Sequence, residues 1–394
     1  MTMTAGISVV IPTWNGLHLL QRFLPSILRE IQTFIASTGR SAELIVVDDG
    51  STDETVEWLA SQAFVDIGGL ENLRSGEPGA SDMPLPSGTR KSAGTGVMAA
   101  AAHPRHLKYI RDARNRGFGY ACNRGVEMAT NRLLMLVNND VELDQGCLSL
   151  LAENFSDANV FAAHCRVIDL NTREECGTGK LASFSGGFIR VHRSYILKST
   201  TTEPGPHSLP LYSIFAGGGS AMFDRDKFLE MGGFEPLLAP FYWEDVELSY
   251  RAWKRGYKIV YEPRAVARHQ ISSTIGRLDA SLVRRIQQRN RLIYHWINLH
   301  DGRMLASHLI WVLILLVIAP VTLRPGFLLA FWDAVRCLPE IKPRRRQEAL
   351  LAKRTDRDVF SIFDDLLKRD DLVPYDRRSE LNEYRETAAT DDRP

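Results

Sequence analysis

Three groups of acidic residues have the types and spacing for chemistry on a phosphorylated, hydroxyl-bearing substrate. Asp48 and Asp49 stand side by side after the apolar run Leu44 to Val47 and are followed by Gly50. Either they turn the chain into a helix and offset its dipole, or they work with Trp14 and Asn15, which follow the first apolar run. In the second case the indole stacks on a nucleobase while the carboxylates accept from base N–H and ribose hydroxyl groups. Asp140 closes the run Leu133 to Val137 behind Asn138 and Asn139. A carboxylate beside a pyrophosphate repels it, so the use for Asp140 is to hold a divalent cation that bridges to phosphate oxygens. Glu244 and Asp245 follow the aromatic run Phe241, Tyr242 and Trp243. Acids in a first helical turn commonly answer the helix dipole. Beside an aromatic platform for a sugar ring, one of them can instead be the general base that takes a proton from an attacking hydroxyl. His269 ends a later strand, either as a satisfied structural histidine or as the partner of Asp140 in a metal site.

These residues need rigid elements to bring them together. In the first half, short β-branched runs alternate with helical periodicity, which favours a parallel sheet covered by helices on both faces. Ile7 to Ile11 reads as the first strand, Leu19 to Ile35 as a helix and Leu44 to Val47 as the second strand. Ser51 with Glu54 reads as a capping box that starts a helix running to about Ala63. From Asp66 to about Pro104 no period survives among Gly, Pro, Ser and Ala, the pattern of a flexible insertion, 66–104. Alternation resumes with Leu107 to Ile110, a helix from about Tyr120 to Ala129 and the strand Leu133 to Val137. The strand ends at Asn15, Asp48 and Asp140 would then share the carboxyl edge, where open α/β sheets bind ligands. Further on, Gly217 to Gly219 precede a short helix, a helix runs from about Trp243 to Arg255, and Lys258 to Tyr261 and Ala265 to His269 close as strands.

Composition limits the alternatives. A chain of 394 residues with 44% hydrophobic residues has ample material for a core, which excludes disorder as a whole-chain description. Five cysteines without a CxxC spacing argue for reduced, structural thiols. No signal peptide opens the sequence, which places the N-terminal part in the cytoplasm. The formal net charge of +1 hides opposed blocks. The first 263 residues carry 25 Lys+Arg against 30 Asp+Glu, residues 264–346 carry 14 against 4, and the remainder carry 9 against 13. The basic block surrounds Met304 to Leu323, a run of 20 residues without a formal charge. That run is long enough for a membrane span, which needs roughly 20 residues. Pro320 and the Arg324, Pro325, Gly326 break interrupt it, and basic residues on both shoulders favour the same side. The pattern points to an interfacial or re-entrant hairpin over 304–339 rather than one crossing, with a buried core helix as the competing reading. The domain order is therefore a catalytic domain over 1–270, a basic helical segment over 271–303, the apolar segment and a charged tail over 340–394 that includes an amphipathic stretch at Val359 to Leu367.

Taken in order, VVIPTWNG at Val9 to Gly16, ELIVVDDGSTDET at Glu43 to Thr55, NRGFGYACNRG at Asn115 to Gly125 and LVNND at Leu136 to Asp140 resemble the nucleotide-binding half of the family 2 glycosyltransferases. GGGSAMFDRDKFLEMGGFEP at Gly217 to Pro236 and WEDVELSYRAWKRGYKIVYEPRAVARH at Trp243 to His269 are similar to its acceptor half. The Asn-Asn-Asp form and the Arg289, Asn290 pair look most like the rhamnosyltransferase-like branch. The resemblance implies a GT-A fold, an inverting mechanism and a nucleotide-diphosphate sugar donor with Mg or Mn. It places Thr13, Trp14, Asn15, Asp48, Asp49, Arg114, Asn115, Asn138 and Asn139 at the donor. It gives Asp140 to the metal with His269 as a second ligand, Asp245 the role of base with Glu244 in support, and Gly218, Gly219 and Trp243 to the acceptor. Asn138 departs from the family's DXD motif by removing one anionic ligand.

A dinucleotide dehydrogenase would need GxGxxG after the first strand, and a nucleotidyltransferase a Gly-rich phosphate loop there; neither occurs. A processive polysaccharide synthase is echoed only by Gln288 to Leu292, and a degenerate, non-catalytic sugar-nucleotide or scaffold protein is the alternative that Asn138 suggests. The expectation is transfer of one sugar to a glycan or lipid-linked acceptor in cell-surface polysaccharide synthesis. It is set at the cytoplasmic face of the plasma (inner) membrane, peripheral or monotopic, with no nucleic-acid partner.

Overall fold

The computed structural model describes residues 6–67, 106–198, 210–270, 278–321 and 325–376. Beyond Asp66 and Ile67, the stretch read as an insertion lies outside the described residues, as do 271–277 and the end of the tail.

The strands are β1 (Ile7–Thr13), β2 (Ala42–Asp48), β3 (Val65–Asp66), β4 (Leu107–Arg111), β5 (Leu133–Val137), β6 (Val141–Leu143), β7 (Val160–Asp169) and β8 (Glu175–Gly177). They continue with β9 (Gly179–Lys180), β10 (Ser183–Ser185), β11 (Phe188–Arg190), β12 (Ser194–Leu197), β13 (Ser220–Asp224), β14 (Lys258–His269) and β15 (Leu372–Tyr375). The helices of the sheet domain are α1 (Leu17–Thr38), α2 (Thr55–Ser61), α3 (Phe118–Met128), α4 (Cys147–Glu153), α5 (Arg225–Glu230) and α6 (Glu244–Lys254). The main sheet runs β3-β4-β2-β1-β5-β13-β7-β14-β6, with β8 added beside β7. The left half is parallel, and β13 enters antiparallel between β5 and β7. The expected mostly parallel α/β sheet is what forms, and Lys258 to His269 is one strand with a bulge after Glu262 rather than two.

Strand alternation divides the core. Val10, Ile45, Val47, Leu134 and Leu136 face one apolar cluster, while Val9, Ile11, Leu44, Val46 and Met135 face another. Helix α1 covers the second face through Leu20, Leu24, Ile27, Ile31 and Phe34, the helical spacing legible in the sequence. The capping box proposed at Ser51 does not form. Helix α2 starts only at Thr55, because the Ser51 hydroxyl accepts the backbone N–H of Asn15 at 2.8 Å and Asp53 takes over the turn, accepting from Thr55 N and Oγ1.

The C-terminal third builds α7 (Ala280–Asn298), α8 (Gly302–Val321), α9 (Pro325–Arg336), α10 (Leu338–Leu351) and α11 (Asp356–Leu366). Asp279 caps α7, accepting from Ser281 N and Leu282 N at 2.9 Å each. Among the described residues α8 is the one helix long and apolar enough to cross a membrane. Its buried positions, His308, Val312 and Ala319, form a single stripe against the protein, while Ile310, Leu313 and Val317 are 57%, 62% and 73% exposed. The charged tail is not a loose appendage as far as Tyr375. Val359, Phe360, Phe363 and Leu366 of α11 enter the same core cluster as the sheet, and β15 pairs antiparallel with β12.

Candidate active site

Each strand end places its residue differently. At the end of β1, Thr13 Oγ1 accepts from Asn139 Nδ2 at 2.9 Å, which ties the first strand edge to the turn after β5. Trp14 is 39% exposed, with its ring available to a ligand. Asn15 takes a left-handed conformation with φ 48°, and its amide oxygen accepts from Thr52 N at 2.7 Å and Asp53 N at 3.3 Å. That oxygen therefore pins the loop after β2.

The adjacent pair Asp48 and Asp49 is split in role by its neighbours. Both carboxylate oxygens of Asp49 are occupied by the fold: Oδ1 and Oδ2 accept Arg116 N at 2.9 and 3.1 Å, and Oδ2 also accepts Gly117 N at 2.8 Å. Asp48 is fully buried, with Oδ1 accepting Ser51 N at 3.3 Å, while Oδ2 meets no donor among the described residues. Burial pushes both acids above the ordinary carboxylate range, against hydrogen bonds that pull the other way. Arg114 and Asn115 are exposed, and their backbone passes so close to Gly50 that a Cβ there would lie 2.6 Å from Arg114 Cα. Gly50, at φ 74°, is the residue that permits both the turn and this approach.

After β5, the chain reaches the predicted metal pair. Asp140 Oδ1 lies 3.0 Å from His269 Nε2, and Gln270 N donates to the Asp140 carbonyl at 3.0 Å, so β14 delivers the histidine to the β5 edge. Among the described residues there is no cluster of three or more His, Cys, Asp or Glu side chains arranged to hold a metal ion. A carboxylate and an imidazole at this spacing fit the donor chemistry of a divalent cation as two protein ligands. Asn138, two residues earlier, donates its backbone N–H to Gly219 O at 3.0 Å and has a buried amide oxygen that meets no donor among the described residues. Gly219 must be glycine here, since a Cβ would run into the Asn138 side chain.

The acid pair at α6 lies across this glycine loop. Asp245 accepts Val246 N at 2.8 Å and also the backbone N–H of Gly218. Burial nonetheless raises the Asp245 carboxyl. Glu244 is only 9% exposed, its Oε2 meets no donor among the described residues, and burial, then the adjacent Asp245, push it up to about 8. Two neighbouring acids with unequal protonation are the arrangement from which acid and base roles arise. Raised to about 8, Glu244 keeps its proton at neutral pH.

The sequence did not disclose what holds this pair in place. Tyr242 and Trp243 both have positive φ, 72° and 77°, a costly conformation for aromatic residues. Asn290 of α7, fully buried, donates from Nδ2 to the carbonyls of Leu238, Phe241 and Tyr242 at 2.6, 3.0 and 2.9 Å. Arg289 donates to Asn290 Oδ1 at 2.6 Å and to the Ala239 carbonyl. The Trp243 indole, expected as a sugar platform, is half-buried and stacks on Tyr294 at 5.3 Å between centroids. The same loop touches the donor side, where Phe118 N donates to Pro240 O at 3.0 Å beside the turn that Asp49 holds. The signal for the clamp was the Arg289, Asn290 pair, noted only as a family likeness.

This sheet and its edge define a GT-A fold. The crystal structure of GalNAc-T7 with UDP, GalNAc and Mn2+ superimposes with a TM-score of 0.51 at 18% identity, over 76% of this chain and 48% of that one. The sequence model described as glycosyl transferase family group 2 matches residues 133–337, and glycosyl transferase family 2 matches residues 8–71. The chain belongs to glycosyltransferase family 2. A putative polypeptide N-acetylgalactosaminyltransferase 13 of Drosophila melanogaster is 27% identical over 159 residues, 40% of this chain and 28% of its own length. The undecaprenyl-phosphate 4-deoxy-4-formamido-L-arabinose transferase of Klebsiella pneumoniae (strain 342) is 40% identical over 57 residues, 14% of this chain and 16% of its own length. The chain thus matches less than a third of the length of either curated relative. These matches reach the family and do not single out its rhamnosyltransferase-like branch.

Proposed function

We propose that the chain transfers one sugar from a nucleotide-diphosphate sugar to a hydroxyl of a glycan or lipid-linked acceptor, with inversion, and that Asp245 is the general base. The observation that carries this reading is the Glu244, Asp245 pair: two adjacent acids raised by burial, with Asp245 held by Gly218 N–H one residue from the Gly219 to Asn138 contact.

On the donor side, the exposed Trp14 ring stacks on the base, and the open oxygen of Asp48 accepts from base or ribose. Thr13, Asn15, Asp49, Arg114, Asn115 and Asn139 shape the walls, most of them through contacts that fix the loops around the nucleoside. Asp140 and His269 would hold the divalent cation, Mg or Mn, and Asn138 contributes a neutral amide oxygen beside them. Bound there, the cation would offset the negative charge that develops on the departing diphosphate. The GalNAc-T7 structure, solved with UDP and Mn2+, supports a donor and cation of these classes. On the acceptor side, Gly218 and Gly219 let the loop pack closely against Phe118 and Asn138 beside the acid pair, and Trp243 borders the approach. The ionised Asp245 removes the hydroxyl proton while the oxygen attacks the anomeric carbon from the face opposite the diphosphate. Neutral Glu244 keeps a second negative charge away from that oxygen.

The likeness to an undecaprenyl-phosphate transferase and the outward apolar face of α8 support a site of action at the cytoplasmic face of the plasma (inner) membrane, in cell-surface polysaccharide synthesis. The basic block over 264–346 suits an anionic surface, at about 1 kcal/mol for each well-placed Lys or Arg. A thermal-shift panel of nucleotide-diphosphate sugars with and without Mn tests the donor class. The expected result is a rise in Tm for one nucleotide series that requires Mn and disappears in Asp140→Ala. No shift for any donor, with no nucleotide diphosphate released, would leave a degenerate binding or scaffold protein.

A further inference from the structure

Helices α7, α8 and α9 enclose a cavity of about 280 Å3. Its walls are mostly apolar, formed by Phe188 of β11, Leu292 of α7, Leu315 and Ile318 of α8 and Phe327 of α9; Gln288 adds one neutral polar group, and Arg291 is the charged side chain in the lining. The Arg291 guanidinium lies over the Phe188 ring, 4.1 Å from its centroid. Its Nε is buried and meets no acceptor among the described residues, nor has the guanidinium a carboxylate partner there. A desolvated cation without a counter-charge is expensive, and burial accordingly lowers its pKa to about 10, with Arg190 acting in the same direction. Burial, then Arg291, Lys180 and Arg190, also depress His192, so four basic groups share this neighbourhood. His192 packs edge-on to Trp243 at 6.3 Å between centroids, and Trp243 directly precedes Glu244. At the other side, Ile318 both lines the cavity and is 45% exposed on the apolar outer face of α8.

Two demands therefore meet in one place: a cation that lacks an anion, and apolar walls continuous with a surface suited to acyl or isoprenoid chains. Inorganic phosphate answers only the first and a neutral lipid only the second. We propose that this cavity binds a lipid phosphate, an alkyl or isoprenoid chain ending in a phosphate, with Arg291 pairing the phosphate and Phe188, Leu292, Leu315 and Phe327 flanking the first carbons of the chain. The site is the anchor of a lipid-linked acceptor and in that respect rests on the transferase reading. It places the phosphate on the basic side of Trp243 and leaves the acceptor's hydroxyl to reach Asp245.

The test is calorimetric titration of the full chain with farnesyl phosphate, farnesol and inorganic phosphate. Farnesyl phosphate is expected to bind at least about tenfold more tightly than either control, and Arg291→Gln to remove that advantage, the tenfold corresponding to one charge-assisted pair. Arg291→Lys should retain most of the affinity, and Arg284→Gln, on the exposed side of α7, should change it less than about twofold, within the range of a screened surface charge. An unchanged circular dichroism spectrum and Tm for Arg291→Gln confirm that the loss is local. Equal binding of inorganic phosphate would reduce the site to an anion hole, equal binding of farnesol to an apolar groove, and an unaffected Arg291→Gln would place the lipid elsewhere; each overturns the proposal. If farnesyl phosphate binds but Asp245→Asn still releases nucleotide diphosphate, the base assignment fails and the lipid site stands. If it does not bind while Asp245-dependent release persists, the lipid site fails alone.

Discussion

The molecule contains two pairs of neighbouring acids, Asp48 with Asp49 and Glu244 with Asp245, and they are put to different uses. In the first pair, Asp49 gives all its capacity to backbone N–H groups of Arg116 and Gly117, leaving one open oxygen on Asp48. In the second, among the described residues, Glu244 keeps an oxygen without a donor and Asp245 is held by the N–H groups of its own helix turn and of Gly218. The lesson is that a carboxylate's role is read from what already occupies its oxygens. Where the backbone fills them, the acid is architecture; where burial leaves them open and raises the pKa, it is available for proton transfer or ligand binding.

The sharpest way to break this contrast is Asp245→Asn. It should lower kcat by about a thousandfold, within the span of general-base contributions, with donor affinity by thermal shift unchanged. Retained turnover would sink the distinction at its centre. Asn290→Ala comes next. It removes three hydrogen bonds from the loop that sets the acid pair and is expected to lower kcat by roughly ten- to a hundredfold, the range for a misplaced catalytic group, while donor KM moves little. A change in KM alone would show that the clamp positions something other than Asp245.

Asp49→Asn probes the architectural acid. Replacing an all-acceptor group with one that also donates leaves the Arg116 and Gly117 N–H groups short of partners, at a cost of about 1–3 kcal/mol, seen as a lower urea midpoint. Full stability with lost donor binding would instead make Asp49 a ligand residue. The smallest effect is expected from Glu244→Gln, and its sign follows from linkage. A carboxyl raised to about 8 in the folded state binds its proton more tightly than in the unfolded chain. Its contribution to stability is therefore complete below about pH 4.5 and is lost as pH rises through about 8. Tm of the parent should fall relative to Glu244→Gln between pH 5 and 9, and parallel curves would refute the buried, protonated Glu244.

How far the sequence carried can be judged on particular residues. The edge positions of Asn15, Asp48 and Asp140 were legible because buried parallel strands are continuous apolar runs, and the polar residues that follow each run sit at the sheet edge. His269 beside Asp140 was one of two readings of a strand-ending histidine, and the family resemblance pointed to it. The Ser51 capping box was misread because the donor to its hydroxyl is Asn15, 36 residues away, and local spacing does not register such a partner. Asn290 lies 48 residues beyond Tyr242, so its grip on the loop depends on tertiary packing with no local pattern to reveal it. Trp243 looked like an exposed platform, yet its left-handed backbone turns the ring onto Tyr294. The tail was legible in part: Val359 to Leu367 showed its amphipathic pattern, whereas the seat of α11 in the sheet's core and the pairing of β15 with β12 depend on tertiary contacts.

That tail has a consequence for the order in which the molecule is made. The carboxylate of Asp356 gathers Tyr250 Oη at 2.7 Å, Lys254 Nζ at 2.6 Å and the backbone N–H groups of His300 and Asp301 at 2.7 and 2.6 Å. It thereby fastens the far end of α6, whose first turn carries Asp245, to the start of α8. During synthesis the strands β1 to β5 and all of α8 precede Asp356 in chain order. The helix that carries Asp245 is therefore fastened at its far end only once α11, the last helix among the described residues, has been made.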